Sequence, residues 1–279
     1  GAQEIGRASE FDSAKGSDHS RAQARGTHDA DTAIPLAVED ALTSSWSPLV
    51  DGNELNDGPH ALVFDDTGRA LYAAGRFTSA GGVSATHIAR WDVMLGTWSP
   101  LGGGLYGDYP LFPVALALDD TGATVCAGGN FTMAGAVRAN HIACWDQATA
   151  SWSALGDGMN DRVLALAWDS AGSALYAGGE FTTAGGVSAN FIAKWDGAAW
   201  SPLGRGTDFP VYALALDDAG NLYAGGGGWY NMSGESPTNH IAKWDGENWS
   251  SLGSVEGTVR ALAWDSARSM LYAGGWFTT

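Results

Sequence analysis

The string LYAAGRFTSAGGVSATHIARWD begins at Leu71 and returns as TVCAGGNFTMAGAVRANHIACWD from Thr124 and LYAGGEFTTAGGVSANFIAKWD from Leu175. A more altered copy, LYAGGGGWYNMSGESPTNHIAKWD, starts at Leu222, and LYAGGWFTT runs from Leu271 to Thr279. The Trp-Asp pairs open at Trp91, Trp145, Trp195 and Trp244, so the spacings are 54, 50 and 49 residues. A period this long belongs to propeller blades rather than helical solenoids.

Each repeat divides into four strand-like runs. The first, as in Val163 to Asp169, alternates small Ala with large Leu or Trp and has no polar face. A strand apolar on both sides is buried on both sides, and its small face suits the innermost strand of a blade. A turn of the form Asp-(Asp/Ser)-x-Gly follows, with residue types that turn geometry requires. The second run is LYAGG, the third (H/F)-I-A-(K/R)-W-D and the fourth W-S-x-L-G. The chain holds 40 Gly and 13 Trp without a collagen period, which predicts short strands joined by tight turns, not helices.

A strand ending in Gly-Gly, then an aromatic-Asp pair, then a Trp five to seven residues on, resembles the kelch repeat. Gly178-Gly179, Trp195-Asp196 and Trp200 carry the resemblance, as do Gly128-Gly129, Trp145-Asp146 and Trp152. The departures are Trp where kelch usually has Tyr and the added F-T-x-A-G-G-V-x-A-N stretch. That stretch is similar to repeats of large secreted bacterial surface proteins and fungal cell-wall polarity markers. The resemblance covers residues 32–279. It implies an all-β fold and an extracellular or cell-surface location, and it says little about function.

Four complete repeats run from about His60 to Leu252, and residues 259–279 supply only first and second strands. Residues 35–49, PLAVEDALTSSWSPL, align with HIARWDVMLGTWSPL at 87–101, matching Asp40 to Asp92 and Trp46 to Trp98, although Glu39 stands where Trp91 would be. The expected fold is therefore a five-bladed β-propeller of four-stranded antiparallel blades, its last blade shared between the two terminal segments. Such closure leaves no open sheet edge. Residues 1–31 are polar and poor in large apolar side chains, and are read as a flexible N-terminal arm or tag remnant.

Cys126 takes the Tyr position held by Tyr72, Tyr176 and Tyr223, and Cys144 takes the cation position held by Arg90, Lys194 and Lys243. Both changes fall in one repeat, in strands that should pair, so a disulfide within the blade is expected. That bond implies an oxidising compartment. Two buried thiols are the alternative. The sequons at Asn130, Asn231 and Asn248 are read as chance occurrences.

Positions that vary among the repeats on the loop face are the candidate ligand contacts. The residue after Gly-Gly is Arg76, Asn130, Glu180, Gly227 or Gly228, and Trp276 around the ring, and these side chains should crown the mouth of the central channel. Tyr106, Tyr109 and Phe112 lengthen the loop before the second full repeat. Trp229 and Tyr230 replace Phe-Thr in the fourth, and Asp208 and Phe209 precede that repeat. Exposed aromatics beside a few polar groups suit carbohydrate or peptide recognition, although an aromatic can equally cover a neighbouring loop. Asn140, Asn190 and Asn239 are read as bonding turn backbone. His87, His141 and His240 fall in separate repeats and are not read as one metal site, nor are the Asp turns read as calcium loops.

The formal net charge of −17 argues against nucleic acid as a partner, because phosphate binding needs a basic stripe. No apolar stretch approaches the roughly 20 residues of a membrane helix. Of the mouth positions only Glu180 is a carboxylate, and no nucleophile elbow, zinc-protease helix, phosphate loop or sialidase-type Asp-box is present. The chain is therefore read as a non-enzymatic binding module without a cofactor, its ligand a glycan or protein surface. The alternatives are a structural or adhesive scaffold of a larger surface assembly and, third, a glycoside-acting enzyme.

Overall fold

The computed structural model describes residues 54–65, 67–107, 113–227, 240–253 and 255–278, which contain strands and turns and no helix. The expected N-terminal arm and the expected closing strands at 35–49 lie outside the described residues.

Four antiparallel sheets of four strands follow one another. The first runs Pro59–Phe64, Ala70–Gly75, Ile88–Asp92 and Thr97–Pro100, and the second Pro113–Leu118, Thr124–Gly129, Ile142–Asp146 and Ser151–Ala154. The third runs Val163–Asp169, Ala174–Gly179, Ile192–Trp195 and Trp200–Pro202, and the fourth Val211–Leu216, Leu222–Gly226, Ile241–Trp244 and Trp249–Ser251. A two-stranded sheet, Glu256–Asp265 with Met270–Thr278, comes last. The strands correspond to the four runs of the repeat, in sequence order from the inner strand outward.

The repeated residues explain themselves in register. The Trp that ends the third strand faces the Trp of the fourth, as Trp145 faces Trp152, and the four such ring pairs have centroids 5.3–5.4 Å apart. The outer Trp also reaches the blade before it. The indole N–H groups of Trp152, Trp200 and Trp249 donate to the carbonyls of Leu101, Leu155 and Leu203 at 3.2, 2.8 and 2.9 Å. The Asp after each inner Trp caps its own turn. The backbone N–H groups of Leu95, Thr149, Ala199 and Asn248 bind Asp92, Asp146, Asp196 and Asp245 and hold them below the ordinary carboxylate value.

Cys126 and Cys144 face each other across the second and third strands of the second blade and form the expected disulfide. In the other blades the same register sets Tyr72 opposite Arg90, Tyr176 opposite Lys194 and Tyr223 opposite Lys243. The ammonium groups of the two lysines lie 5.6 and 5.5 Å from the tyrosine ring centres.

The inner strands differ from the expectation of uniform burial. Leu116, Leu166 and Leu214 pack into the core, whereas Leu62 and Phe64 of the first blade are 58% and 53% exposed. An inner strand is covered by the blade before it: Val163 and Leu166 lie over Gly128, and Val211 and Leu214 over Gly178. No blade precedes the first among the described residues.

Candidate functional site on the loop face

Antiparallel order puts the loops from fourth to first strands and from second to third strands at one end of the sheets. The added stretch of the repeat folds there as a small hairpin, Ser79–Ala80 with Val83–Ser84, Met133–Ala134 with Val137–Arg138, and Thr183–Ala184 with Val187–Ser188. The entry loop of the same blade pairs with it: Leu55 with Ala80, Leu105 with Ala134, Met159 with Ala184. Asn160 accepts the backbone N–H groups of Thr182 and Thr183 at 2.9 Å, and Asn56 does the same for Thr78 and Ser79 at 2.8 and 2.9 Å. Asn140 and Asn190 donate to the carbonyls of Asp157 and Arg205, each 2.9 Å away in the loop entering the next blade.

His87, His141 and His240 share a left-handed backbone with Phe191, φ between 64° and 68°. The rings of His87 and His141 hydrogen-bond the carbonyls of Gly75 and Gly129, and burial pushes both below the ordinary 6.5. The asparagines and histidines thus have partners within the loop framework.

Among the varying positions, Arg76 is exposed and Asn130 half-buried. Tyr106 is half-exposed and its hydroxyl donates to the Gly103 carbonyl. Asp208 is exposed and stands, by repeat alignment, where Asn56 and Asn160 hold their hairpins. Tyr109, Phe112, Trp229 and Tyr230 lie outside the described residues, as does Asn239. Glu180 is paired with Arg162, the residue just before the inner strand of the same blade. Trp276 is 69% exposed, and its strand continues past Gly-Gly, so that Trp276 pairs with Thr258.

The structure adds three residues to this set. In every inner strand the register skips one residue near the loop face, and the skipped residues are His60, Val114, Leu164, Tyr212 and Arg260. Such a bulge re-aims a side chain. The Arg260 guanidinium lies 4.3 Å from the Tyr212 ring centre and 5.0 Å from that of Trp276. Burial, aided by the Glu180 carboxylate, pushes the Tyr212 phenol above 10.0 against the opposing pull of Arg260 and Arg162. Arg162, Glu180, Tyr212, Arg260 and Trp276 therefore form one cluster across the third and fourth blades and the last sheet. Arg260 is exposed and forms no ion pair among the described residues. The signal was available in the sequence: within V-x-A-L the x position is the most varied of an otherwise uniform strand.

Consecutive antiparallel blades, tied by repeated Trp-to-carbonyl bonds and carrying their variation in the loops, define a β-propeller. Residues 114–256, just over half of the chain, match the model of the Rax2 C-terminal beta propeller domain, and the chain belongs to that family. No curated protein sequence matches it. Among solved structures it is similar to a structure of U3-55K, at 17% identity with a TM-score of 0.47. That similarity covers 71% of this chain, which spans about half, 53%, of the other. Among the described residues no helix is long and apolar enough to cross a membrane.

Proposed function

We propose that this chain is an extracellular or cell-surface recognition module that binds a glycan or a protein surface on its loop face. The observation that carries this reading is the stack of Arg260 on Tyr212 beside the exposed Trp276. A flat indole with an available guanidinium offers a stacking surface and directional donors together, the combination that sugar rings and carboxylates engage. Glu180, the one carboxylate among the mouth positions, is engaged by Arg162, which suits recognition better than turnover. The disulfide and the family support an oxidising, external location.

The finer fold reading belongs to the same proposal: a kelch-like ring of five blades, closed by residues 35–49 completing the sheet of Glu256–Asp265 and Met270–Thr278. Its support is that this sheet has two strands among the described residues where its neighbours have four.

A glycan array with the purified chain tests the binding reading. Binding is expected, with a loss of about tenfold or more in Trp276→Ala and in Arg260→Ala. A blank array, or binding indifferent to both variants, removes the glycan version. A scaffold role is the second reading. It is favoured by the turn Val93, Met94 and Leu95, exposed by 43%, 82% and 75%, which is apolar where the other blades carry polar or small residues. It predicts stable association with a partner chain that is lost on Met94→Ser with Leu95→Ser.

A further inference from the structure

At the other end of the inner strands, the turns into the second strands surround an open cavity of about 340 Å³ at the third, fourth and fifth blades. Sites for small ligands run from roughly 300 to 1,000 Å³. Trp168, Leu216 and Trp264, equivalent residues of three successive inner strands, form its apolar wall, and Asp169, Asp217 and Asp218 form its polar one. No Lys, Arg or His is among the described residues that line it.

Two features exceed what the blades need. The position of Trp168 and Trp264 is held by Leu118 and Leu216 in the second and fourth blades, so a blade packs without an indole there. The second feature is charge. Asp217 is occupied by Asn221 and Tyr223 and lies 3.8 Å from Lys243. Asp218 is fixed by the Ser266 hydroxyl at 2.6 Å and the Trp264 indole N–H at 3.1 Å, while Trp264 itself stacks on Tyr223. Asp169 differs from both. It is nine-tenths buried at 9% exposure, its Oδ1 accepts the Gly172 N–H at 3.0 Å, and its Oδ2 has no hydrogen-bond partner among the described residues. The cavity is open, so solvent reaches that oxygen, and an entering cation can approach Asp169 without displacing a protein partner from Oδ2.

We propose that this cavity binds an organic cation, an alkylated ammonium or a guanidinium, its charge toward Asp169 and Asp218 and its carbon surface against the indoles of Trp168 and Trp264. Aromatic faces backed by carboxylates favour such spread, weakly hydrated cations. A metal ion fits less well, because no group of three or more acidic, His or Cys side chains among the described residues is placed to hold one. A neutral sugar would make no use of the negative charge of Asp169 and Asp218.

Saturation-transfer NMR on the full chain tests this with three probes: choline, the tripeptide Gly-Arg-Gly amide, and neohexanol, the uncharged isostere of choline. At least one cation is expected to bind saturably and more weakly at high salt, with neohexanol weaker by about tenfold or more. Choline alone would mark a free ammonium, and the tripeptide alone a protein side chain. Asp218→Asn and Trp168→Leu should each weaken the cation by about tenfold or more, and Trp276→Ala should leave it unchanged. Trp168→Leu installs the repeat's own residue, so an unaltered melting midpoint separates lost binding from lost folding. Absence of binding by both cations, equal binding of neohexanol, or cation binding that survives both variants overturns the proposal. None of these results depends on whether the loop face binds a glycan.

Discussion

At Cys126 and Cys144 the second blade replaces a tyrosine–cation pair with a covalent bond in the same register. The bridged residues are 18 apart in sequence, so the bond restrains a short loop of the unfolded chain and contributes about 3 kcal/mol. Cys126→Ser with Cys144→Ser should lower the unfolding free energy by about 2–4 kcal/mol in denaturant titrations. Cys126→Tyr with Cys144→Lys, which restores the pairing of Tyr176 with Lys194, should recover about 0.5–1 kcal/mol of that loss. Equal stability of the serine variant and the parent under oxidising conditions would show that the disulfide adds nothing. This pairing was legible in the sequence because two departures from the repeat coincide in adjacent strands. For the Arg260 stack the sequence marks the position, as the varied x of V-x-A-L, but not the contact, because the bulge follows no simple alternation. Only the register brings Tyr212 and Arg260 together as skipped residues of neighbouring strands.

Among the elements, the Gly-Gly end of the second strand is where one blade accepts the next. A Cβ on Gly178 would lie 2.5 Å from Val211 Cγ1 and 2.9 Å from its Cβ, and Gly128 and Gly225 meet Val163 and Val259 in the same way. Gly178→Ala must push the fourth blade away and should cost about 1–3 kcal/mol, read as a lower denaturation midpoint. Gly274 is the matching residue of the last sheet, and a Cβ there would meet only Ala261 of its own sheet, at 3.9 Å. With no blade against it, Gly274→Ala should stay within about 0.5 kcal/mol of the parent, whereas a cost like that of Gly178→Ala would mean that the first blade packs on it, as ring closure requires. A Gly178→Ala midpoint equal to the parent's would refute this account of the blade junction. Gly-Gly recurs in four of the five copies, with Ala74-Gly75 in the first, where Pro113 replaces the Val of the following strand; the cause of the pattern was not visible, because the side chain it makes room for comes from the following repeat.

For the whole molecule, stability turns on the last sheet. If residues 35–49 complete it, removing residues 32–49 along with the arm should lower the melting midpoint by several degrees at least, each ~1 kcal/mol being worth about 2–4 °C in a domain of this size. Removing residues 1–31 alone should leave the midpoint in place. An unchanged midpoint in the longer deletion would end the closure proposal. A covered inner strand is the physical stake, since Leu62 and Phe64 are exposed where their counterparts in the next three blades are at least half-buried.

The repeat by itself determined the all-β class, the order of four strands in each blade, the turns and the disulfide. These depend on local residue types and on positions that recur at a fixed spacing. The tertiary structure alone decided which varying residues meet. Arg260, Tyr212 and Trp276 come together because a bulge in two neighbouring inner strands and an extended hairpin bring them to one end of the sheets. Trp168, Asp169 and Asp218 line one cavity because the turns of adjoining blades lie side by side. Contacts that every junction shares, such as Gly178 with Val211, recur in the sequence, but those made at one junction alone do not, since only packing selects the neighbour against which a varying side chain comes to rest.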